Sequence, residues 1–270
     1  MRLALTLALI AAPALAEGPA RVVSINLCTD QLAMLVAGPG QLVSVSHLSR
    51  DPRVSAMTGE AAALPVNHGL AEDILRLRPD LVLASAYSAP ATLDMLRRLD
   101  LPVQVFDPEE DLQDIRANLD RMGRLLGRRD RARAVIARFD ADLAALAEMP
   151  GPGGRAALYG ANGYSSGDQG LAGVILSLAG LESIASELGL PHGGFLPLED
   201  LVLADPDLVV GAARYPGASR AEEVLDHPAL RAVTAGRAAI SGGDWVCGTP
   251  HVLRAAARLR EDARLREDAS

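Results

Sequence analysis

The residues with the sharpest chemistry in this 270-residue chain are its only two cysteines, Cys28 and Cys247. Each follows a predicted strand and precedes a predicted helix, so both are expected at the carboxyl edge of an α/β sheet, beside a cleft. In an oxidising compartment two such thiols pair as a disulfide, which here would close a very long loop. Two unpaired thiols and thiolate ligation of a metal are the alternatives that the sequence leaves open.

A serine motif supplies an enzyme alternative. Ser165 lies in GYSSG, which fits G-x-S-x-G, and Asp205 or Asp207 and then His251 follow in the order of a hydrolase triad. The HGG segment at 192–194 argues against this interpretation, because it follows the serine, whereas an oxyanion loop of that type precedes it. We therefore expect no catalytic residue and keep a secreted serine hydrolase as the alternative.

Metal and anion sites are weaker expectations. The five histidines lack the i, i+4 spacing of a helical zinc pair, so a site from His47, His68 and His251 would have to be assembled by the fold. The helix starts near the two cysteines offer backbone N–H groups to a phosphate or carboxylate, although most such helix ends bind only water. We predict no resident metal and no cofactor.

Charge and the N-terminus limit the classes of function. A net charge of −8 argues against a nucleic-acid partner, because phosphate binding needs clustered lysine and arginine. Residues 1–16 contain Arg2, an apolar run and Ala14-Leu15-Ala16, which predict a signal peptide that is cut before Glu17. No later segment reaches eighteen apolar residues, so we expect a soluble monomer in the periplasm.

The strongest sign of architecture is an internal repeat. The segment AEDILRLRPDLVLA at 71–84 returns as LEDLVLADPDLVVG at 198–211. Each copy predicts a short helix with an acidic start, a Pro-Asp turn and a buried strand, because the proline stops the helix and the run after it lacks polar alternation. We therefore predict an α/β protein of two lobes with mainly parallel sheets and a ligand cleft between them.

A long helix is predicted to connect the lobes. Residues 111–149 show only helical periodicity, and after Gly127 the apolar positions Val135, Ile136, Phe139, Leu143 and Leu146 form one stripe of a helix about 30 Å long. The predicted division is a signal peptide 1–16, an N-terminal lobe 17–126, a connecting helix 127–150 and a C-terminal lobe 151–270. The other expected elements are strands at 21–25, 41–46, 103–106, 156–160 and 237–240, helices at 30–37 with Thr29 as N-cap, at 91–99 and at 170–179, and a closing helix capped by Thr249 and Pro250.

These features together resemble the periplasmic substrate-binding proteins of ABC importers for ferric siderophores and cobalamin. The resemblance covers about residues 21–268, and it rests on SINLCTDQLAMLVAG after the first strand, the paired E-x₆-P-D-L-V segments, the long middle helix and DWVCGTPHVL near the end. It implies two α/β lobes joined by one long helix, a shallow cleft and limited hinge motion. The implied ligand is a metal chelate, ferric siderophore or cobalamin, and the implied partner is an ABC permease, with heme or a bare metal ion as alternative ligands.

The resemblance also implies roles for particular residues. In this family one exposed glutamate per lobe docks onto arginines of the permease, and Glu72 and Glu199 stand at the matching places. The helix macrodipole independently favours a carboxylate at each helix start. Tyr87 matches only approximately the tyrosine that heme-binding members supply. The expected ligand contacts are Asn26, Cys28, Thr29, His47, Tyr87, Tyr164, Asp244 and Trp245.

Overall fold

The N-terminal lobe is built on a parallel sheet. The computed structural model describes residues 18–217 and 219–267, so the predicted signal peptide lies outside the described residues. The strands of this sheet are β1 (Val22–Ser24), β2 (Leu42–Ser46), β3 (Val66–Asn67), β4 (Leu81–Ser85) and β5 (Val103–Phe106). Their order is β3-β2-β1-β4-β5, and every neighbouring pair is parallel. The continuous apolar runs of β1 and β4 are buried along their whole length, as a sheet covered by helices on both faces requires.

The C-terminal lobe contains a second parallel sheet and a small hairpin. Its strands are β6 (Arg155–Leu158), β7 (Tyr164–Ser165), β8 (Glu182–Ser183), β9 (Gly194–Phe195), β10 (Leu208–Ala212) and β11 (Ala238–Ser241). The four-stranded parallel sheet has the order β11-β10-β6-β8, and β7 pairs with β9 antiparallel. The predicted fold class, two α/β lobes with mainly parallel sheets, is confirmed.

The helices lie mostly where the sequence predicts them. They are α1 (Leu27–Val36), α2 (Thr58–Ala62), α3 (Ala71–Arg76), α4 (Pro90–Arg98), α5 (Leu112–Leu125), α6 (Arg129–Glu148), α7 (Leu171–Ala179), α8 (Leu198–Ala204), α9 (Pro228–Thr234) and α10 (Val252–Glu267). Helix α6 lies between the last strand of the first sheet and the first strand of the second. Its predicted stripe packs inward, with Phe139 and Leu146 buried. In the part of the chain that the structure covers, none of these helices is long and apolar enough to cross a bilayer.

The repeated Pro-Asp turns perform the same structural task in both lobes. Asp80 Oδ2 accepts a hydrogen bond from the backbone N–H of Arg21 at 2.8 Å, and Asp207 Oδ2 accepts one from that of Arg155 at 2.7 Å. The guanidinium of Arg21 donates to the carbonyl of Leu77, directly after α3, at 2.7 Å. That of Arg155 donates to the carbonyl of Ala204, the last residue of α8, at 2.8 Å. The repeat thus fixes where each helix ends and how it joins the sheet.

Helix α10 belongs to the cores of both lobes. Its first half contributes Val252, Leu253, Ala255 and Ala256 to the cluster that contains β1, β2 and β4 of the N-terminal lobe. Its second half contributes Leu259 and Ala263 to the cluster around β6 and β10. The lobes are therefore joined by packed apolar surface as well as by α6.

Two glycines let the segment before α10 approach the N-terminal lobe. A Cβ on Gly243 would overlap the backbone of Ser55, and a Cβ on Gly248 would overlap the side chain of Glu109. Only glycine fits such backbone approaches without displacement.

Arg260 ties together three helices at this junction. Its side chain is 6% exposed. Nη1 donates to the carbonyls of Leu146 and Met149 at the end of α6, both at 2.8 Å, and Nη2 donates to the carbonyl of Leu178 in α7 at 2.6 Å. A cation at two helix C-termini stabilises both macrodipoles and satisfies carbonyls that have no intrahelical partner.

Arg260→Met should lower the free energy of unfolding by about 3 kcal/mol, because three carbonyls, one buried and two partly buried, lose a charged donor. Urea unfolding followed by circular dichroism measures the change. The matched control is Arg133→Met, whose ion pair with Asp130 is largely exposed, and we expect no measurable shift of its midpoint. Equal midpoints for the two variants would contradict the role of Arg260.

Candidate functional site

The site lies where the carboxyl edges of the two sheets face each other. In the N-terminal sheet β1 lies between β2 and β4. In the C-terminal sheet β6 stands in the same way between β8 and β10. Ligands of open α/β sheets bind outside the carboxyl ends of strands at such switch points. The loops that follow β1, β4, β6 and β10 therefore border the cleft.

The start of α1 is organised by Asn26 and not by Thr29. Asn26 Oδ1 accepts hydrogen bonds from the backbone N–H groups of Cys28 and Thr29, so the predicted Thr29 cap is wrong. The Thr29 hydroxyl bonds instead to Ser24 Oγ at 2.8 Å and is 1% exposed. Thr29 is therefore corrected from a ligand contact to a buried polar residue. The cap also occupies the first N–H groups that an anion would use.

The two cysteines form a disulfide between the lobes. Of the three states left open by the sequence, the structure has the Cys28–Cys247 bond, with the Cα atoms 5.1 Å apart. Cys28 lies in the first turn of α1, and Cys247 lies in the segment between β11 and α10. The bond places the two segments in contact at the base of the cleft. As a disulfide, Cys28 offers no thiolate to a ligand or metal.

His47 and His68 meet at the ends of adjacent strands. His47 directly follows β2 and His68 directly follows β3, and their ring centroids are 4.7 Å apart with an interplanar angle of 32°. Both residues are exposed. His251, the third member of the alternative metal set, does not join them, since no group of three or more histidine, cysteine or acidic residues in the described ranges could hold a metal ion.

Buried polar residues fix the backbone on either side of this histidine pair. Asp30 Oδ2 accepts from the backbone N–H of Ser46 at 3.0 Å, from its hydroxyl at 2.5 Å and from the Ser49 hydroxyl at 2.6 Å. Burial raises the pKa of Asp30 to about 6, although these hydrogen bonds lower it. Asn67 donates to the Ser24 and Val45 carbonyls at 2.9 and 3.0 Å. No local sequence pattern indicates either role.

An aromatic wall stands on the C-terminal side of the cleft. Tyr164 and Phe195 face each other across the β7–β9 hairpin and are 54% and 67% exposed. Tyr164 also lines a pocket of about 230 Å³ together with Tyr159, Ser166 and Trp245. Trp245 is half-buried and packs against the cores of both lobes. The structure therefore places Tyr164 and Trp245, two of the predicted contacts, in one pocket, with Phe195, which the sequence does not mark, opposite Tyr164 on the hairpin.

Tyr87 stands apart from this wall. It follows β4 at the switch point of the N-terminal sheet and is 80% exposed. The Ser85 hydroxyl accepts from the Tyr87 backbone N–H at 3.1 Å, which holds the turn. The side chain of Tyr87 lies at the carboxyl edge of the N-terminal sheet.

The carboxylate of Asp244 forms ion pairs with two arginines. The residue is 6% exposed, Arg254 Nη2 lies 3.4 Å from Oδ1, and Arg258 Nη1 lies 3.1 Å from Oδ2. Arg254 Nη2 also donates a hydrogen bond to the carbonyl of Ala56 in the N-terminal lobe, at 3.1 Å. Asp244 is therefore corrected from a ligand contact to an anchor of the lobe junction, because its carboxylate is already buried and paired.

A contact across the cleft was not predicted. Arg53 forms a bidentate ion pair with Asp51, at 2.8 and 2.9 Å, and its guanidinium carbon lies 3.8 Å from the centroid of the Tyr215 ring. The hydrogen bonds from Arg53 lower the pKa of Asp51 to about 2. Asp51 and Arg53 follow β2, whereas Tyr215 follows β10, so the contact links the two lobes at the cleft rim. No local sequence pattern marks residues this far apart as partners.

The residues of the alternative hydrolase triad are not brought together. Ser165 is 2% exposed, and its hydroxyl is 3.4 Å from the carbonyl oxygen of Ser166. Asp207 precedes β10 at the amino edge of the sheet, where it binds Arg155, and Asp205 pairs with Arg237. The acids thus lie at the opposite edge of the sheet from the cleft.

Glu72 and Glu199 occupy equivalent outer positions. Each is the second residue of its helix, α3 or α8, and each is exposed. Both helices lead back to the amino ends of strands, so their acidic starts lie at the cleft edge of the two lobes. This placement suits contact with a partner that covers the mouth of the cleft.

Sequence and structure comparisons place these features in context. Residues 22–239 match the family described as "Periplasmic binding protein". A search of curated proteins finds no match.

Solved structures share the fold across nearly the whole chain. Periplasmic heme-binding protein BhuT, in complex with two hemes, is 23% identical with a TM-score of 0.72, over 91% of this chain and 98% of that one. The vitamin B12 binding protein BtuF of Vibrio cholerae is 19% identical with a TM-score of 0.66, over 92% and 98%. An Fe³⁺-hydroxamate transport protein from Saccharomonospora viridis is 22% identical with a TM-score of 0.68, over 91% and 93%. At these identities the likeness shows the fold.

The disulfide predicts a simple chemical result. Mass spectrometry of the non-reduced protein should show the Cys28–Cys247 peptide pair, and alkylation without reductant should label neither residue. Reduction first should make both residues reactive. Full alkylation of both thiols in the untreated protein would reject the bond.

His251 predicts a loss of stability in acid. Burial, aided by the nearby charge of Arg254, lowers its pKa from 6.5 to about 4. The unfolded chain therefore binds more protons between these values, and stability that is complete above pH 6.5 is lost as the pH falls towards 4. Between pH 7 and 4.5, His251→Gln should lose about 2 kcal/mol less than the wild type in urea unfolding.

Asp30 supplies the opposite control for this experiment. Its folded pKa is raised, so its contribution is complete below the unfolded value of 3.8 and is lost as the pH rises through about 6. Asp30→Asn should therefore lose more stability than the wild type over the same fall in pH. Identical pH profiles for wild type and His251→Gln would refute the assignment to His251.

Proposed function

The chain belongs to the periplasmic binding protein family, and we propose that it is the solute-binding component of an ABC importer. Its cargo is a metal chelate, a ferric siderophore or cobalamin, which it delivers to the membrane permease. The observation that carries the proposal is the cleft between two α/β lobes with one exposed glutamate at an equivalent position on each. The family consists of binding proteins of the periplasm, and the unassembled triad supports a role without catalysis.

The lining of the cleft supports a ligand with both apolar and polar surface. Tyr87 stands on the N-terminal side, and Tyr164, Phe195 and Trp245 stand on the C-terminal side. Exposed aromatic rings of this kind supply large contact area with a polar end. Chelates of the type bound by the vitamin B12 and hydroxamate proteins named above present such mixed surfaces.

Heme is the alternative ligand. Tyr87 favours it, because its phenol is highly exposed at the switch point of the N-terminal sheet. The absorption spectrum and mass of the molecule that copurifies with the native protein distinguish the cases. A corrinoid spectrum or a ferric charge-transfer band would support cobalamin or a siderophore as the ligand. A Soret band would identify the ligand as heme.

The domain arrangement supports delivery by limited movement. We propose a division into a lobe of residues 17–126, a connecting helix 127–150 and a lobe of 151–270 after removal of residues 1–16. The disulfide, the shared helix α10 and the Arg53–Tyr215 contact all resist wide opening. Transfer by a monomer would then depend on the permease moving the lobes against these contacts.

Glu72→Arg combined with Glu199→Arg should abolish uptake and leave ligand affinity unchanged, because both carboxylates lie on the outer surface. Uptake of labelled ligand is measured in a strain that lacks the native copy. Affinity is measured by the emission of Trp245, the single tryptophan of the chain.

The matched control reverses one exposed acid per lobe elsewhere, Asp94→Arg with Glu182→Arg, and should retain uptake. Normal uptake by the Glu72/Glu199 variant would remove the docking role. Weaker ligand binding by that variant would show that the glutamates belong to the cleft instead.

A further inference from the structure

We propose that His47 and His68 bind one transition-metal ion together, as two adjacent ligands of a metal whose other ligands arrive with the cargo. That the metal arrives in a cargo rests on the proposed capture of a chelate. The pairing of the two imidazoles on one metal rests on the geometry of this chain alone.

The distance between the rings fits one shared metal. Imidazole nitrogen binds such metals at about 2.0–2.1 Å, which puts the ring centre about 3.2 Å from the ion. Two ligands near a right angle then have ring centres about 4.5 Å apart. The observed separation of 4.7 Å is close to this value, and the rings are tilted by 32°.

The backbone that carries each histidine is held from below. Asp30, which is fully buried, binds Ser46 and Ser49 on both sides of His47. Asn67, which is 2% exposed, directly precedes His68 and donates to the carbonyl of Val45 in the adjacent strand. A backbone that is fixed at both histidines lowers the conformational entropy that is lost when their side chains bind a metal.

The imidazoles are free to act as ligands. Both residues are exposed, and within residues 18–217 and 219–267 neither ring takes part in a hydrogen bond or an ion pair. Histidine nitrogen suits nickel, copper, zinc and iron. A simple stacking contact between two exposed rings would not require the buried hydrogen bonds of Asp30 and Asn67 that hold the backbone at both histidines.

The set of ligands is incomplete, which points to the class of cargo. Across the described residues, no third histidine, cysteine or acidic residue completes a group that could hold a metal. A chelate that fills every coordination position gains nothing from this pair. A chelate that leaves two adjacent positions open gains two metal–nitrogen bonds, so the pair selects partly coordinated complexes.

Two nickel complexes of different denticity test the pair directly. Nickel nitrilotriacetate leaves two adjacent positions open, whereas nickel EDTA leaves none. Isothermal titration of the untagged protein should show binding of the first complex and not of the second. His47→Gln and His68→Gln should each weaken binding at least tenfold, and His192→Gln, a change at an exposed histidine of the other lobe, should leave it unchanged.

The outcomes separate this site from the importer role. Unchanged circular dichroism shows that the variants are folded. Absence of binding by the wild type, equal binding of the EDTA complex, or undiminished binding by the double variant His47→Gln/His68→Gln would each overturn the histidine pair. These results do not bear on the uptake assay with the Glu72 and Glu199 variants. Equally, a negative uptake assay would not change the result of the nickel titration.

Discussion

One helix, α10, contributes to the hydrophobic core of each lobe. The first half of α10 packs into the N-terminal lobe and its second half into the C-terminal lobe, with Arg260 at the point where α6 and α7 end. Neither lobe buries its apolar surface fully if this helix detaches. The relative orientation of the lobes is therefore set more by side-chain packing than by the connecting helix. Closely packed interiors resist small deformations.

This rigidity determines what kind of site the cleft provides. Asn26, Asp30 and Asn67 are side chains that hold the loops at the carboxyl edge of the N-terminal sheet through hydrogen bonds to backbone or to serine hydroxyls. The residues that Asp30 bonds to, Ser46 and Ser49, are themselves buried, whereas the neighbouring His47 and His68 are exposed. Buried polar groups thus fix the backbone, and the side chains above them remain available for a ligand.

The fold was predictable because its signals are local. In each repeat copy the proline ends a helix and an apolar run follows, and these patterns correctly placed β4 and β10. The N-cap of α1 was missed because Ser24, Asn26 and Thr29 all have suitable side chains, and only the backbone path decides among them. The His47–His68 pair depends on the pairing of β2 with β3, and the Arg53–Tyr215 contact depends on two lobes. Such partners are set by tertiary structure, which a single sequence does not display.

The disulfide has a topological consequence. It joins residues 219 positions apart, so most of the chain, including the cleft loops that follow β4, β6 and β10, lies within one covalent ring. A protease that cuts once in any of these loops opens the ring without releasing a fragment. A protein that works in a compartment without ATP-dependent refolding would in this way survive a nick as a single molecule, with both halves still held at the positions from which they can pack again.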